Sequence, residues 1–119
     1  MTFKRVVVTG LGALTPIGNT YQEYWKGLKE GKSGAAPITK FDATLFKTKF
    51  ACEVKNFKGE NYMDPKEVRR RDRYEQFAAA AVKEAMAQSG LQVTEENSGR
   101  IGLVISAAIG GLQSLEDAI

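Results

Sequence analysis

"VVVTGLGALTPIG", residues 6–18, runs from an apolar β-branched start straight into closely spaced glycines. Two readings compete for it. A strand entering a G-x-G turn can cradle nucleotide phosphates on the N-terminus of the next helix, which would make the chain a dinucleotide-binding domain. Alternatively, the glycines let a strand turn tightly against packed neighbours in another kind of α/β enzyme. The dinucleotide fingerprint needs three glycines; Gly10 and Gly12 fit the first two positions, but Thr15 stands at the third. Pro16 also pushes Thr15 out of the helical region, so the first-turn amides of a phosphate-binding helix would not line up on an anion. The P-loop pattern is absent as well. The packing reading is the stronger.

Working outward, Arg5 to Leu11 reads as a strand, with Val6, Val7 and Val8 apolar on both faces as in a buried parallel strand. "TYQE" is a capping box that opens a helix, with Thr20 as N-cap and Glu23 at N3. Tyr21, Trp25 and Leu28 share one face of that helix, and Gly31 is placed to end it. Lys32 to Gly59 reads as loop and short strands, with "FACEVKNF" (Phe50 to Phe57) the best strand candidate. "MDPKE" starts the next helical region, with Asp64 as N-cap, Pro65 at N1 and Glu67 at N3.

The longest helix is expected from about Asp72 to Ser89, closed by Gly90. Its apolar positions keep the 3.6 period, and "FAAAAV" has so little bulk that the helix should be buried close to neighbouring backbones. A polar turn, "TEENSG", precedes a second all-apolar strand, Ile101 to Ala107, which leads to Ile109-Gly110-Gly111 and the start of another helix. Strands alternating with helices point to α/β with a parallel sheet. No repeat and no internal domain boundary is visible over residues 1–119. Two confident strands make no free-standing sheet, so the fold reads as incomplete in this chain.

The bulk numbers narrow the function. A length of 119 residues suits one modest domain and is short for most complete α/β enzymes. A net charge of +3 suits an acidic partner but falls short of a nucleic-acid footprint, so no nucleic-acid partner is expected. The single cysteine, Cys52, rules out an internal disulfide and fits a reducing compartment. The N-terminal apolar run breaks at Thr9-Gly10, and no stretch approaches the length of a membrane span, so a cytoplasmic protein without membrane attachment is expected. With no histidine, the chain lacks the commonest general base and the commonest metal ligand together.

The stretches "RVVVTGLGALTPIGN", "FDATLFKTKFACEV", "RRRDRYEQFAAAAVKEAMAQSGL" and "RIGLVISAAIGGLQSLED", in this order and spacing, resemble the N-terminal part of the elongating β-ketoacyl-acyl-carrier-protein synthases. These are the type II condensing enzymes of bacterial fatty-acid synthesis. The resemblance implies a thiolase-like fold of α-β-α layers, of which this chain would hold βαβ elements of the first half, and a homodimer when complete. It also implies an acyltransferase that elongates an acyl chain by decarboxylative Claisen condensation with malonyl-acyl-carrier-protein, using no metal and no organic cofactor. The family's catalytic set is one cysteine and two histidines lying beyond Ile119, so no catalytic residue is expected here and the chain alone should be inactive. Cys52, in "FACEV", reads instead as a buried or half-buried thiol on a strand.

Two roles carry over to matching positions. Ile109, in "SAAIGGL", matches the residue that gates the acyl tunnel, with glycines leaving it room to move; Ser106, Ala107 and Ala108 replace small glycine-rich residues of the family. Lys66, Arg69 and Arg70 occupy positions that bind the acidic, phosphopantetheinylated acyl carrier protein. On a helix continuous through Asp72, at about 100° per residue, Arg73 would extend their stripe. Read from spacing alone, the same residues make a solvated helix face laced with ion pairs. A rival from another class is a non-catalytic, truncated ketosynthase-like module that binds carrier protein or a partner subunit.

Overall fold

Each helix marked by a cap in the sequence forms, and the caps explain where it starts. In the computed structural model, which describes residues 3–119, α1 spans Tyr21–Lys29 and α2 spans Pro65–Arg70. The 17-residue α3 follows over Arg73–Ser89, and a short α4 covers Leu112–Asp117. The residues divide into two compact units, one running to Gly12 and resuming over Gly59–Ile119, the other Ala13–Lys58.

In the Ala13–Lys58 unit, the Thr20 hydroxyl accepts from the Glu23 N–H at 3.2 Å. The Glu23 carboxylate reaches one residue further back than a capping box requires, to the Asn19 N–H at 2.7 Å. The helix ends at Glu30, with Gly31 beyond it at φ +65°. Its inward face differs from the expected one. Tyr21 and Tyr24 are half-buried and Gly27 is buried, while Trp25 and Leu28 face solvent. Lys29 stands over the Trp25 ring at 6.0 Å, so the stem of one side chain shields the other.

The same unit holds a two-stranded antiparallel sheet, β1 (Ala36–Pro37) against β2 (Phe50–Ala51), with Ala36 opposite Ala51. Glu53 extends the pairing, its carboxylate accepting from the Thr39 hydroxyl at 2.6 Å and the Thr39 N–H at 3.2 Å. The hydroxyl first, and then the amide, hold the Glu53 carboxyl below the usual carboxylate range. Only the first two residues of "FACEVKNF" are therefore strand. Cys52 is exposed, not buried as the sequence suggested. Burial alternates along Phe50–Glu53, and Cys52 falls on the outward side.

In the other unit α3 is the central element. Asp72 opens it in a capping box with Glu75, whose carboxylate accepts from the Asp72 N–H at 2.9 Å. Gly90 closes it at φ +66°, in the left-handed conformation that glycine adopts without strain. Ala80 is 4% exposed, yet the rest of the alanine run is only half-buried. The helix is thus less covered than its composition predicts. The Asn97 side chain organises the polar turn after it, accepting from the Thr94 N–H and donating to the Gln92 carbonyl, both at 2.8 Å.

The two long apolar strands do not form ladders. Residues 5–11 and 101–107 are assigned no strand, and among the described residues no parallel pairing exists. Val6 is 90% exposed and Val104 96% exposed, although both sit in sequences apolar on two faces. A strand of that kind needs a hydrogen-bonded neighbour on its edge and cover on each face. Neither segment finds them here.

The opening glycines nevertheless have a clear use. A Cβ added at Gly10 would overlap the Ala85 carbonyl, and one at Gly12 the Ala81 carbonyl. Residues 10–12 thus lie directly on the small-residue face of α3, and the Leu11 N–H donates to the Gln88 side chain. Gly12→Ala is expected to cost about 1–3 kcal/mol through overpacking, seen as a lower urea midpoint. Gly99→Ala, where an added Cβ would meet nothing within 4 Å, should leave the midpoint nearly unchanged.

Candidate functional site

The short α2 owes its start to Asp64, which accepts from the Lys66 N–H at 2.7 Å, and to Pro65 at the first helical position. Its end comes from the backbone: Arg71 is extended at φ −102°, ψ 137°. The buried amide of Gln76 then fastens that end, donating to the Val68 carbonyl at 3.1 Å and the Arg71 carbonyl at 2.9 Å. The helix is therefore broken before Asp72. Arg73 does not continue the stripe; it belongs to α3, with its guanidinium over the Phe77 ring at 5.2 Å.

The break sorts the cations by what they can do. Arg71 is taken up by two carboxylates, Glu67 at 3.0 Å and Glu75 at 3.5 Å. The hydrogen bond it donates to Glu67, foremost, raises its hold on its proton. Lys66, Arg69 and Arg70 are exposed, and among the described residues no ion pair or hydrogen bond engages their side chains. Positions i, i+3 and i+4 lie on one helical face. Three cations share that face, beside a fourth that is already neutralised.

Ile109 lies in the turn before α4, and the residue is 75% exposed. A Cβ at Gly110 would press on the Tyr74 ring at 2.6 Å, and one at Gly111 would meet the Asp72 carboxylate at 2.9 Å. Gly111 also adopts φ +76° as the N-cap of α4. The glycines seat the backbone against the start of α3. The Ser114 hydroxyl donates to the Asp72 carboxylate across 42 positions of sequence, a link that no local pattern announces.

An apolar groove of about 750 Å³ runs beside α3 and is lined by Tyr62, Met63, Tyr74, Val82, Leu103 and Ile105 among others. Ile109 does not line it. In the Ala13–Lys58 unit, a cleft of about 420 Å³ lies by Thr15–Asn19 and includes Lys26, Lys32 and Lys55. A phosphate there would find its backbone donors already used. The Thr15 and Gly18 amides bond across their own turn at 2.8 and 3.3 Å, the Ile17 amide bonds to the Thr15 hydroxyl, and those of Asn19 and Glu23 are capped. The nucleotide reading of the opening stretch has no support in this geometry.

Comparison with known proteins decides the family. The pattern described as Beta-ketoacyl synthase, N-terminal domain, matches residues 3–118. The chain belongs to the β-ketoacyl synthase family. It is 51% identical over 114 residues to 3-oxoacyl-[acyl-carrier-protein] synthase 2 of Synechocystis sp., covering 96% of this chain and 27% of that protein. It is 48% identical over 116 residues to the protein of the same name from Vibrio harveyi, covering 98% and 28%. Among solved structures, the ishigamide ketosynthase/chain length factor matches with a TM-score of 0.66 and 38% identity, over 72% of this chain and 21% of that one. These matches support an α/β, thiolase-like fold. The chain spans little more than a quarter of the length of these curated relatives. No helix among the described residues is long and apolar enough to cross a membrane.

Proposed function

We propose that this chain works as the N-terminal part of a type II fatty-acid condensing enzyme, a cytoplasmic 3-oxoacyl-acyl-carrier-protein synthase that acts as a homodimer. It contributes scaffold within an α-β-α layered fold, a wall of the acyl pocket at Ile109, and a docking surface for acyl carrier protein. In the reaction, the growing chain sits as a thioester on a cysteine supplied outside these residues. Malonyl-carrier loses carbon dioxide, its enolate attacks the acyl thioester carbonyl, and the thiolate leaves. A lowered thiol pKa and backbone donors to the oxyanion are what that chemistry requires. With no histidine and an exposed Cys52, this chain holds no such set and is inactive alone. No metal or organic cofactor enters the scheme.

The observation that carries the reading is the unpaired trio Lys66, Arg69 and Arg70 on one face of α2. An acidic helical carrier with a phosphopantetheine phosphate complements it, and such a surface acts chiefly by steering encounter. Binding of carrier protein to the complete synthase should therefore weaken about tenfold or more between about 0.05 M and about 0.5 M salt. Fluorescence anisotropy of labelled carrier measures this. Binding that ignores salt would argue against docking through α2.

A further inference from the structure

We propose that Asp72 and Ser114 are positioning residues for acyl-chain selection, acting as a latch that fixes the Ile109 turn against the start of α3. The inference rests on the reading of Ile109 as an acyl gate. Its observations, however, are independent of that reading. The Ser114 hydroxyl donates to the Asp72 carboxylate. Between them the chain is pinned twice more, with Gly110 close on the Tyr74 ring and Gly111 close on Asp72. Asp72 is itself immobilised, because its N–H is held by Glu75 at 2.9 Å in the capping box that begins the 17-residue α3.

The consequence for Ile109 is mechanical. The residue immediately precedes Gly110, and its own side chain is largely free of packing. Within this chain its position is therefore set by the turn's backbone. Glycine imposes little torsional preference of its own, so the two glycines would leave the turn loose without an external tether. The hydroxyl–carboxylate bond joins the start of α4 to the residue that caps α3. A tethered turn keeps Ile109 in place and restricts long acyl chains; an untethered turn lets it yield.

The test is a set of variants in the complete synthase, read as relative kcat/KM over short to long acyl substrates and as amide hydrogen exchange over residues 110–112. Ser114→Ala should raise the long-to-short ratio about three- to tenfold, the scale expected for losing a partly exposed hydrogen bond to a charged group. Exchange at the turn should speed up in parallel. Ser114→Thr keeps the hydroxyl and should restore both readouts, whereas Ser114→Val, of equal shape, should not; this pair decides the matter if the alanine variant folds poorly. A ratio unchanged by Ser114→Ala and Ser114→Val, or activity falling equally at all lengths, overturns the latch. If Ile109→Phe still shifts the ratio in that case, the gate reading stands without it. If Ile109→Phe has no length dependence either, the gate reading fails first and takes the latch with it.

Discussion

Reversing Lys66, Arg69 and Arg70 together to glutamate in the complete synthase is expected to weaken carrier binding by about ten- to a hundredfold at low salt. These charges have no partner among the described residues, so reversal removes attraction and adds repulsion without breaking any internal pair there. The loss should fall mainly on the association rate, because such charges steer encounter more than they hold the bound state. The helix should survive, since its start depends on Asp64 and Pro65 and its end on Gln76. Arg71→Ala is the informative control. That arginine is already bound to Glu67 and Glu75, so removing it should change carrier affinity by no more than about threefold, the size of a typical exposed pair. Equal losses from the two variants would mean that general charge, and not this face, recruits the carrier.

Ile109→Phe in the complete synthase should lower kcat/KM for long acyl substrates by about tenfold or more while short substrates lose about threefold or less. A difference of one or a few methylenes in an apolar pocket is worth roughly this much discrimination. The substitution is well placed for a clean reading. The residue is 75% exposed in this chain, and it does not line the apolar groove along α3. Within this chain the larger ring displaces no core side chain. Equal loss at every chain length would remove the gate.

Local chemistry was readable from the sequence, and distant chemistry was not. Thr20, Asp64 and Gly90 each occupy the cap that their residue type and spacing announced, because capping is decided within about four residues. The glycine stretch was also legible in kind: the proline after Thr15 argued against a phosphate cradle, and Gly10 and Gly12 indeed rest on α3. The strands failed for the opposite reason. Residues 5–11 and 101–107 have the composition of strands, but a strand is completed by its neighbours, and no partner for either lies among the described residues.

At the site, the three cations of α2 were visible as a spacing, while their freedom was not. That depends on the backbone turning at Arg71, which ends the helix and hands the fourth cation to Glu67 and Glu75. The packing of Gly110 and Gly111 left no local signal, because Tyr74 and Asp72 lie far away in sequence. Ser114 carried no signal at all, its partner being 42 positions distant.

The most direct measurement is turnover by a chimera in which this chain replaces the aligned 116 residues of the Vibrio harveyi synthase, assayed for 3-oxoacyl-carrier product from acyl- and malonyl-carrier. A folded chimera that releases carbon dioxide and forms product, beside an inactive 119-residue chain, is the outcome expected of a scaffold and docking segment. A folded chimera that loads no acyl group and forms no product, or a lone chain that condenses by itself, would show that these residues serve some other purpose.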